Sequence, residues 1–219
     1  MFNIDKSLQI TEKLNPQNLI IAGWTGRNIS AVQRHIEELA ELGVTAPKKI
    51  PALYKVSSTL LTTADSIEVV GMASSGEAEF CLFYIDGKCF VRVGSDHTDR
   101  KLEVSDITLS KQVCAKPISA QYWSLEDVIG HWDELILKSY VQIDTQERFY
   151  QDGSVREILH PTTLLTLCES ENILTKYSVL FSGTLPIDGP FVHADYFRCE
   201  LIDPVLGRAL ECAYQIKVL

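Results

Sequence analysis

The run Glu77-Ala78-Glu79-Phe80-Cys81-Leu82-Phe83-Tyr84-Ile85-Asp86-Gly87-Lys88-Cys89-Phe90-Val91-Arg92-Val93-Gly94-Ser95-Asp96 decides the fold. Apolar stretches flank Asp86-Gly87, and Asp-Gly is among the strongest short hairpin signals because both central residues of a type I′ turn need positive φ. With those two residues as the loop, Ile85 pairs with Lys88 and every later pair keeps the same register. Glu77 then lies opposite Asp96, and Glu79 opposite Gly94. Side chains alternate faces along a strand, so Glu77 and Glu79 share one face with Asp96 beside them. Directly opposed residues have β-carbons about 4.5–5.5 Å apart, and carboxylates that close repel one another. A hard divalent cation, Mg²⁺ or Mn²⁺, resolves the repulsion, because it prefers carboxylate oxygens and keeps its remaining positions for water and substrate. Gly94 leaves space across from Glu79. The alternative is a shorter hairpin with three solvated acids at a sheet edge, and a bulge would break the register.

Outward from the hairpin, short β-like runs recur at Leu19–Trp24, Ala52–Val56, Ser66–Val70, Leu135–Ile143, Ser178–Phe181, Tyr196–Ile202 and Ala209–Val218. One helix is clear between Ala31 and Leu42, where Val32, Ile36, Leu39 and Ala40 recur at helical spacing, Ser30 is placed as N-cap and Gly43 as C-cap. His35 and Glu38, three apart, are neighbours on its polar side. Further helices are expected at Ser124–Trp132 and Thr162–Glu169. The pattern is α+β and mostly β, a rolled or sandwiched sheet rather than alternating βαβ units. One domain is expected over residues 1–219, with 1–17 as an N-terminal extension.

The 219 residues carry a net charge of -9, which argues against nucleic-acid and anionic-membrane surfaces, since those select basic patches. The N-terminus lacks the cationic and apolar regions of a signal peptide, and no apolar run approaches the roughly 20 residues of a membrane helix. Six scattered cysteines without zinc-type spacing read as reduced thiols, which points to a cytoplasmic protein whose partners are small molecules or other proteins.

Five segments, Gly76-Glu77-Ala78-Glu79-Phe80, Gly94-Ser95-Asp96-His97-Thr98-Asp99-Arg100, Ser110-Lys111, Gln151-Asp152-Gly153 and Ser182-Gly183-Thr184-Leu185-Pro186, occur in the order of the fumarylacetoacetate hydrolase superfamily. The chain resembles a branch of that superfamily usually described as a domain of unknown function. The resemblance implies a rolled mixed β-sandwich with a few short helices and a divalent cation held by Glu77, Glu79 and Asp96. It implies a substrate-facing lysine at Lys111 and substrate contacts at Arg27, Gln151, Gly183 and Thr184. It also implies a catalytic His-x-x-Glu pair, carried here by His35 and Glu38 a few residues later than is usual, and a homodimer. The Gly183 loop departs from the family pattern too, its proline displaced by one position.

A 2-oxo acid offers a carboxylate and a keto oxygen that can chelate one cation, and such a site stabilises enolate charge. The reading reached is a metal-dependent hydrolase that breaks a carbon–carbon bond of an acylpyruvate-like acid, with His35 as general base. A decarboxylase, isomerase or hydratase acting on a similar acid, and a non-catalytic small-acid binding protein, remain alternatives.

Overall fold

The computed structural model describes residues 3–4, 15–41, 47 and 49–219; the side chains of residues 3, 4, 35, 38, 39 and 41 lie outside that description. In chain order the principal elements are β1 (Asn18–Gly23), α1 (Ile29–Glu41), β2 (Ala52–Val56), β3 (Ser66–Val69), β4 (Ala78–Ile85), β5 (Lys88–Ser95), α2 (Arg100–Glu103) and α3 (Ile107–Gln112). There follow β6 (Ile136–Ile143), β7 (Gln146–Ser154), α4 (Pro161–Ser170), β8 (Tyr177–Phe181), β9 (Tyr196–Asp203) and β10 (Arg208–Val218). One sheet runs Trp123–Ser124, β5, β4, β8, β1, β2, with β8 and β1 parallel and its other pairs antiparallel. The second runs Asn3–Ile4, β10, β9, β6, β7, and β3 also pairs with β10. The protein is therefore α+β and mostly β.

The two sheets pack face to face because each offers an apolar surface of matching period. Ile20, Phe80, Leu82, Val91, Val93 and Leu180 of the first meet Leu137, Val141, Phe197, Leu201, Leu210 and Tyr214 of the second in one core. Each such side chain contributes roughly 1.5–3 kcal/mol by leaving water. The first sheet is buried on its other face as well, where Leu19, Ile21, Cys81, Phe83, Val179 and Phe181 pack with Leu61 and Ile118. Burial on both faces explains why Leu19-Ile20-Ile21-Ala22 and Phe80-Cys81-Leu82-Phe83 are continuous apolar runs, whereas β6 alternates between core and partly exposed positions.

The β4–β5 hairpin keeps the expected register, from Ile85↔Lys88 to Glu79↔Gly94 and Ala78↔Ser95. Asp86 (φ 46) and Gly87 (φ 86) both take the left-handed region that a type I′ turn requires. Other expectations need correction. Helix α1 begins at Ile29 and Asn28, not Ser30, supplies its cap: Asn28 Oδ1 accepts from Ala31 N at 3.1 Å. Gly43 lies outside the described residues. Ser124–Trp132 is not one helix but a single turn, Leu125–Val128, followed by a 3₁₀ segment, Ile129–Glu134, in which His131 leaves helical geometry beside Gly130. Strand β7 and the short helices α2 and α3 are additional. No helix among the described residues is long and apolar enough to cross a membrane.

Candidate metal centre

The unbroken hairpin register runs past its last strand pair, since Asp96 N donates to Glu77 O at 3.0 Å. Glu77, Glu79 and Asp96 therefore project from one face at the end of the first sheet, and each offers a carboxylate oxygen within 4.8 Å of the others. This is also the end at which the parallel strands β1 and β8 finish, the side of a sheet on which crevices open. Asp96 and Glu79 are buried, and Glu77 is nearly so.

Each carboxylate is held by a different device. Glu77 Oε1 accepts a salt bridge from Arg100 Nη2 at 3.1 Å, and Arg100 also donates from Nε to Ser75 Oγ (2.7 Å) and from Nη1 to Glu103 Oε2 (2.9 Å). Asp99 caps α2, accepting from Lys101 N and Leu102 N, and so orients Arg100. Glu79 Oε2 accepts from Gly183 N at 2.8 Å. Gly183 has φ +86, and a β-carbon there would stand 2.2 Å from Thr25 Oγ1, so only glycine brings this N–H to Glu79. Asp96 Oδ2 accepts from Lys111 Nζ at 2.5 Å, and Lys116 Nζ lies 3.2 Å from Asp96 Oδ1. Lys111 reaches this point on α3, which Asp106 caps through Leu109 N. Lys116 is wholly buried and donates to the carbonyls of His97, Lys111 and Cys114.

Burial pushes Glu79 well above the usual carboxylate range, and the negative charges of Asp96 and Glu77 add to it against Lys111 and the Gly183 N–H. Burial likewise raises Glu77, with Arg100 and Lys111 opposing. Burial acts the same way on Asp96, but Lys111 and Lys116 outweigh it and hold that carboxyl below its ordinary value. Among the described residues no ion pair reaches Glu79, whereas Glu77 meets Arg100 and Lys111, and Asp96 meets Lys111 and Lys116. Asp96 Oδ1 has no aligned hydrogen bond although it is buried. Three hard oxygen donors gathered this closely fit a divalent cation of the Mg²⁺ or Mn²⁺ kind.

Of the other residues singled out by sequence, Gln151 and Thr184 are engaged within the fold. Gln151 Oε1 accepts from Ala78 N (3.0 Å) and Ser139 Oγ (2.8 Å), while its Nε2 donates to Thr184 Oγ1 and Leu185 O, both at 2.7 Å. Thr184 Oγ1 in turn donates to Ala78 O at 2.8 Å. These bonds fasten the Gly183 loop to both sheets. Arg27 forms a two-pronged pair with Asp133 and donates to Ile158 O. His35 and Glu38 lie on α1, and their side chains fall outside the described residues.

A family profile described as "Protein of unknown function (DUF2848)" matches residues 22–214. The chain belongs to that family. Among solved structures, the DUF2848 chain is similar to 2-keto-3-deoxy-D-arabinonate dehydratase complexed with magnesium and 2,5-dioxopentanoate. The identity is 14% and the TM-score 0.67, with 98% of this chain and 79% of that one covered. A yeast fumarylacetoacetate hydrolase family protein matches at 14% identity and TM-score 0.61, covering 93% of each chain. The 4-oxalocrotonate decarboxylase from Pseudomonas putida G7, complexed with calcium and acetate, matches at 12% and 0.53, covering 91% of this chain and 78% of its own. At these identities the likeness establishes the fold, which this chain shares with the yeast fumarylacetoacetate hydrolase family protein and the two enzymes. No curated protein sequence matches the chain.

Sequence reasoning missed Lys116 in this DUF2848 chain. A lysine in Cys114-Ala115-Lys116-Pro117 carries no signal of burial in the sequence. The sequence leaves Arg100 to pair with either Asp99 or a carboxylate of the cluster, and in place it pairs with Glu77. Cys114, flanked by both lysines, is no activated thiol: burial pushes it up to about 11. His97 turns to the opposite face, bonding Tyr214 Oη (3.0 Å) and Ser74 Oγ (2.9 Å), and burial takes it down to about 3.

Proposed function

We propose that this DUF2848 chain is a divalent-metal-dependent enzyme acting on a small 2-oxo acid. The observation that carries the reading is the buried cluster of Glu77, Glu79 and Asp96, in which one carboxylate oxygen of each lies within 4.8 Å of the others. When bound, a divalent cation supplies Lewis-acid stabilisation of negative charge on the keto oxygen of such an acid. Glu77, Glu79 and Asp96 would hold it. Arg100 and the Gly183 N–H each hold one oxygen, of Glu77 and of Glu79 respectively, which leaves the second oxygen of each for the cation. Lys111, with one of its three donors spent on Asp96, brings a positive charge beside the place of an anionic acid. Two solved relatives of the same fold add support, one named a dehydratase and complexed with magnesium and 2,5-dioxopentanoate, the other named a decarboxylase and complexed with calcium.

The reaction proposed is hydrolysis of a carbon–carbon bond in an acylpyruvate-like acid, with His35 as general base oriented by Glu38 on α1, Arg27 and the Gly183-Thr184 loop as substrate contacts, and the protein working as a homodimer. The test is calorimetric titration of Mg²⁺ and Mn²⁺ into chelator-treated protein, followed by a panel of acylpyruvates, oxaloacetate and 2-keto-3-deoxy sugar acids. The expected result is metal binding and turnover of an acylpyruvate. Absence of metal binding would sink the proposal, and turnover confined to oxaloacetate or the sugar acids would replace hydrolysis by decarboxylation or dehydration.

A further inference from the structure

Tyr54 shares a sheet face with the carboxylate cluster. The register lines up Cys81, Phe181, Ile21 and Tyr54 in one row across β4, β8, β1 and β2, on the face that also carries Glu79. One row closer to the carboxylates, two residues beyond Ile21, stands Gly23. The Tyr54 ring leans over it: a β-carbon on Gly23 would lie 3.0 Å from Tyr54 Cε2. The phenol is thereby inclined toward the end of the sheet where Gly183 meets Glu79. Helix α3 packs over the same strand, with Gln112 Oε1 accepting from Ser57 N at 2.8 Å, and it carries Lys111 to Asp96.

Trp24 completes the arrangement. Its φ of 60 is a backbone state that a bulky side chain adopts only under constraint, and such states cluster at functional sites. In this conformation Trp24 Nε1 donates to Tyr54 Oη at 3.3 Å. An indole is a donor only, so the phenol oxygen is the acceptor and its own hydrogen remains to be donated. Among the described residues no acceptor for that hydrogen is found. Burial raises the Tyr54 phenol above its ordinary value despite Lys111, so it stays protonated at neutral pH.

We propose that Tyr54 is a substrate-facing hydrogen-bond donor of this site, giving its proton side to an oxygen of the bound oxo acid opposite Lys111, and that Trp24 is its positioning residue. This rests on the proposed function, and the experiment separates the two. Oxalate serves as the probe, being planar and carrying adjacent oxygens that chelate as a 2-oxo acid does. Oxalate is titrated calorimetrically into the Mg²⁺-saturated full chain for wild type, Tyr54→Phe, Trp24→Phe and the double variant, with melting curves as the check on folding. Tyr54→Phe, which keeps the ring, is expected to weaken oxalate about tenfold, one hydrogen bond to a charged group. Mg²⁺ affinity should stay within about twofold, because Tyr54 touches no carboxylate of the cluster. Trp24→Phe should weaken oxalate less, and the double variant no more than Tyr54→Phe alone, a non-additivity that a merely structural tryptophan would not give. Equal oxalate affinity in wild type and Tyr54→Phe would overturn this assignment alone. Failure of the Mg²⁺-treated wild type to bind oxalate would overturn the oxo-acid reading and this assignment with it.

Discussion

The β4–β5 hairpin of the first sheet and the β6–β7 hairpin of the second are built differently. The β4–β5 pair turns on two residues and keeps an unbroken register to its open end, where it presents three acids. The β6–β7 pair turns through Asp144 (φ 49) and Thr145 (φ 67), and its register slips between Ser139 and Tyr140, so Tyr150 has no cross-strand partner. A regular ladder acts as a ruler, since a shift of one residue would send every side chain to the other face. A bulge does the opposite and releases backbone groups for other work. Tyr150 O accepts from Asp188 N at 2.8 Å, and Gln151 just beyond reaches Ala78, Thr184 and Leu185. One hairpin sets where the carboxylates stand, and the other fastens the loop whose Gly183 holds Glu79.

That division of labour can be broken at four points, in decreasing order of effect. Asp96→Ala, on the regular hairpin, removes a carboxylate of the cluster and strands the charges of Lys111 and Lys116 in the interior. Mg²⁺ binding should become undetectable by calorimetry, and denaturant unfolding should show a loss of about 3–5 kcal/mol. Gly94→Ala keeps every charge but puts a β-carbon 2.6 Å from Pro117 O and 2.8 Å from Ile118 Cγ2. A loss of about 1–3 kcal/mol is expected, with weaker Mg²⁺ binding as the strand shifts. On the bulged hairpin, Gln151→Leu leaves the buried groups Ala78 N and Leu185 O without partners, at about 1–2 kcal/mol. Mg²⁺ affinity should fall about tenfold through the loosened Gly183 loop; unchanged affinity would mean that the second hairpin does not support the site. Thr145→Gly relieves a β-branched residue held at positive φ and should raise stability by about 0.5 kcal/mol, seen as a small upward shift in melting temperature, with Mg²⁺ binding unaffected.

The same contrast explains what could be read from the residues in advance. Asp86-Gly87 between apolar runs announces its turn, and parity then places Glu77, Glu79 and Asp96 together without further information. Asp144-Thr145 lacks a glycine, and Gln146, Glu147 and Arg148 are polar and exposed, so β7 has neither turn signal nor apolar alternation to reveal it. Helices α2 and α3 are too short to show a period, yet their capping acids Asp99 and Asp106 place Arg100 and Lys111. Lys111 was legible only through the ordered family motifs. Lys116 was not legible at all, because burying an ammonium depends on three carbonyls that only the folded chain brings together.

The pairing of β1 with β8 has a consequence for how the protein acquires its shape. Asn18 stands beside Ser178, and Glu79 waits for the N–H of Gly183, so the site is assembled from contacts between distant parts of the chain. Such contacts close late, because the entropy of a long loop is lost before its pairing is gained. The first hairpin can form locally and early, with its acids already aligned. Glu79, however, has no partner until the last third of the chain has docked, which makes ligand affinity a late event in refolding and one that a ribosome-bound chain ending before Gly183 would lack.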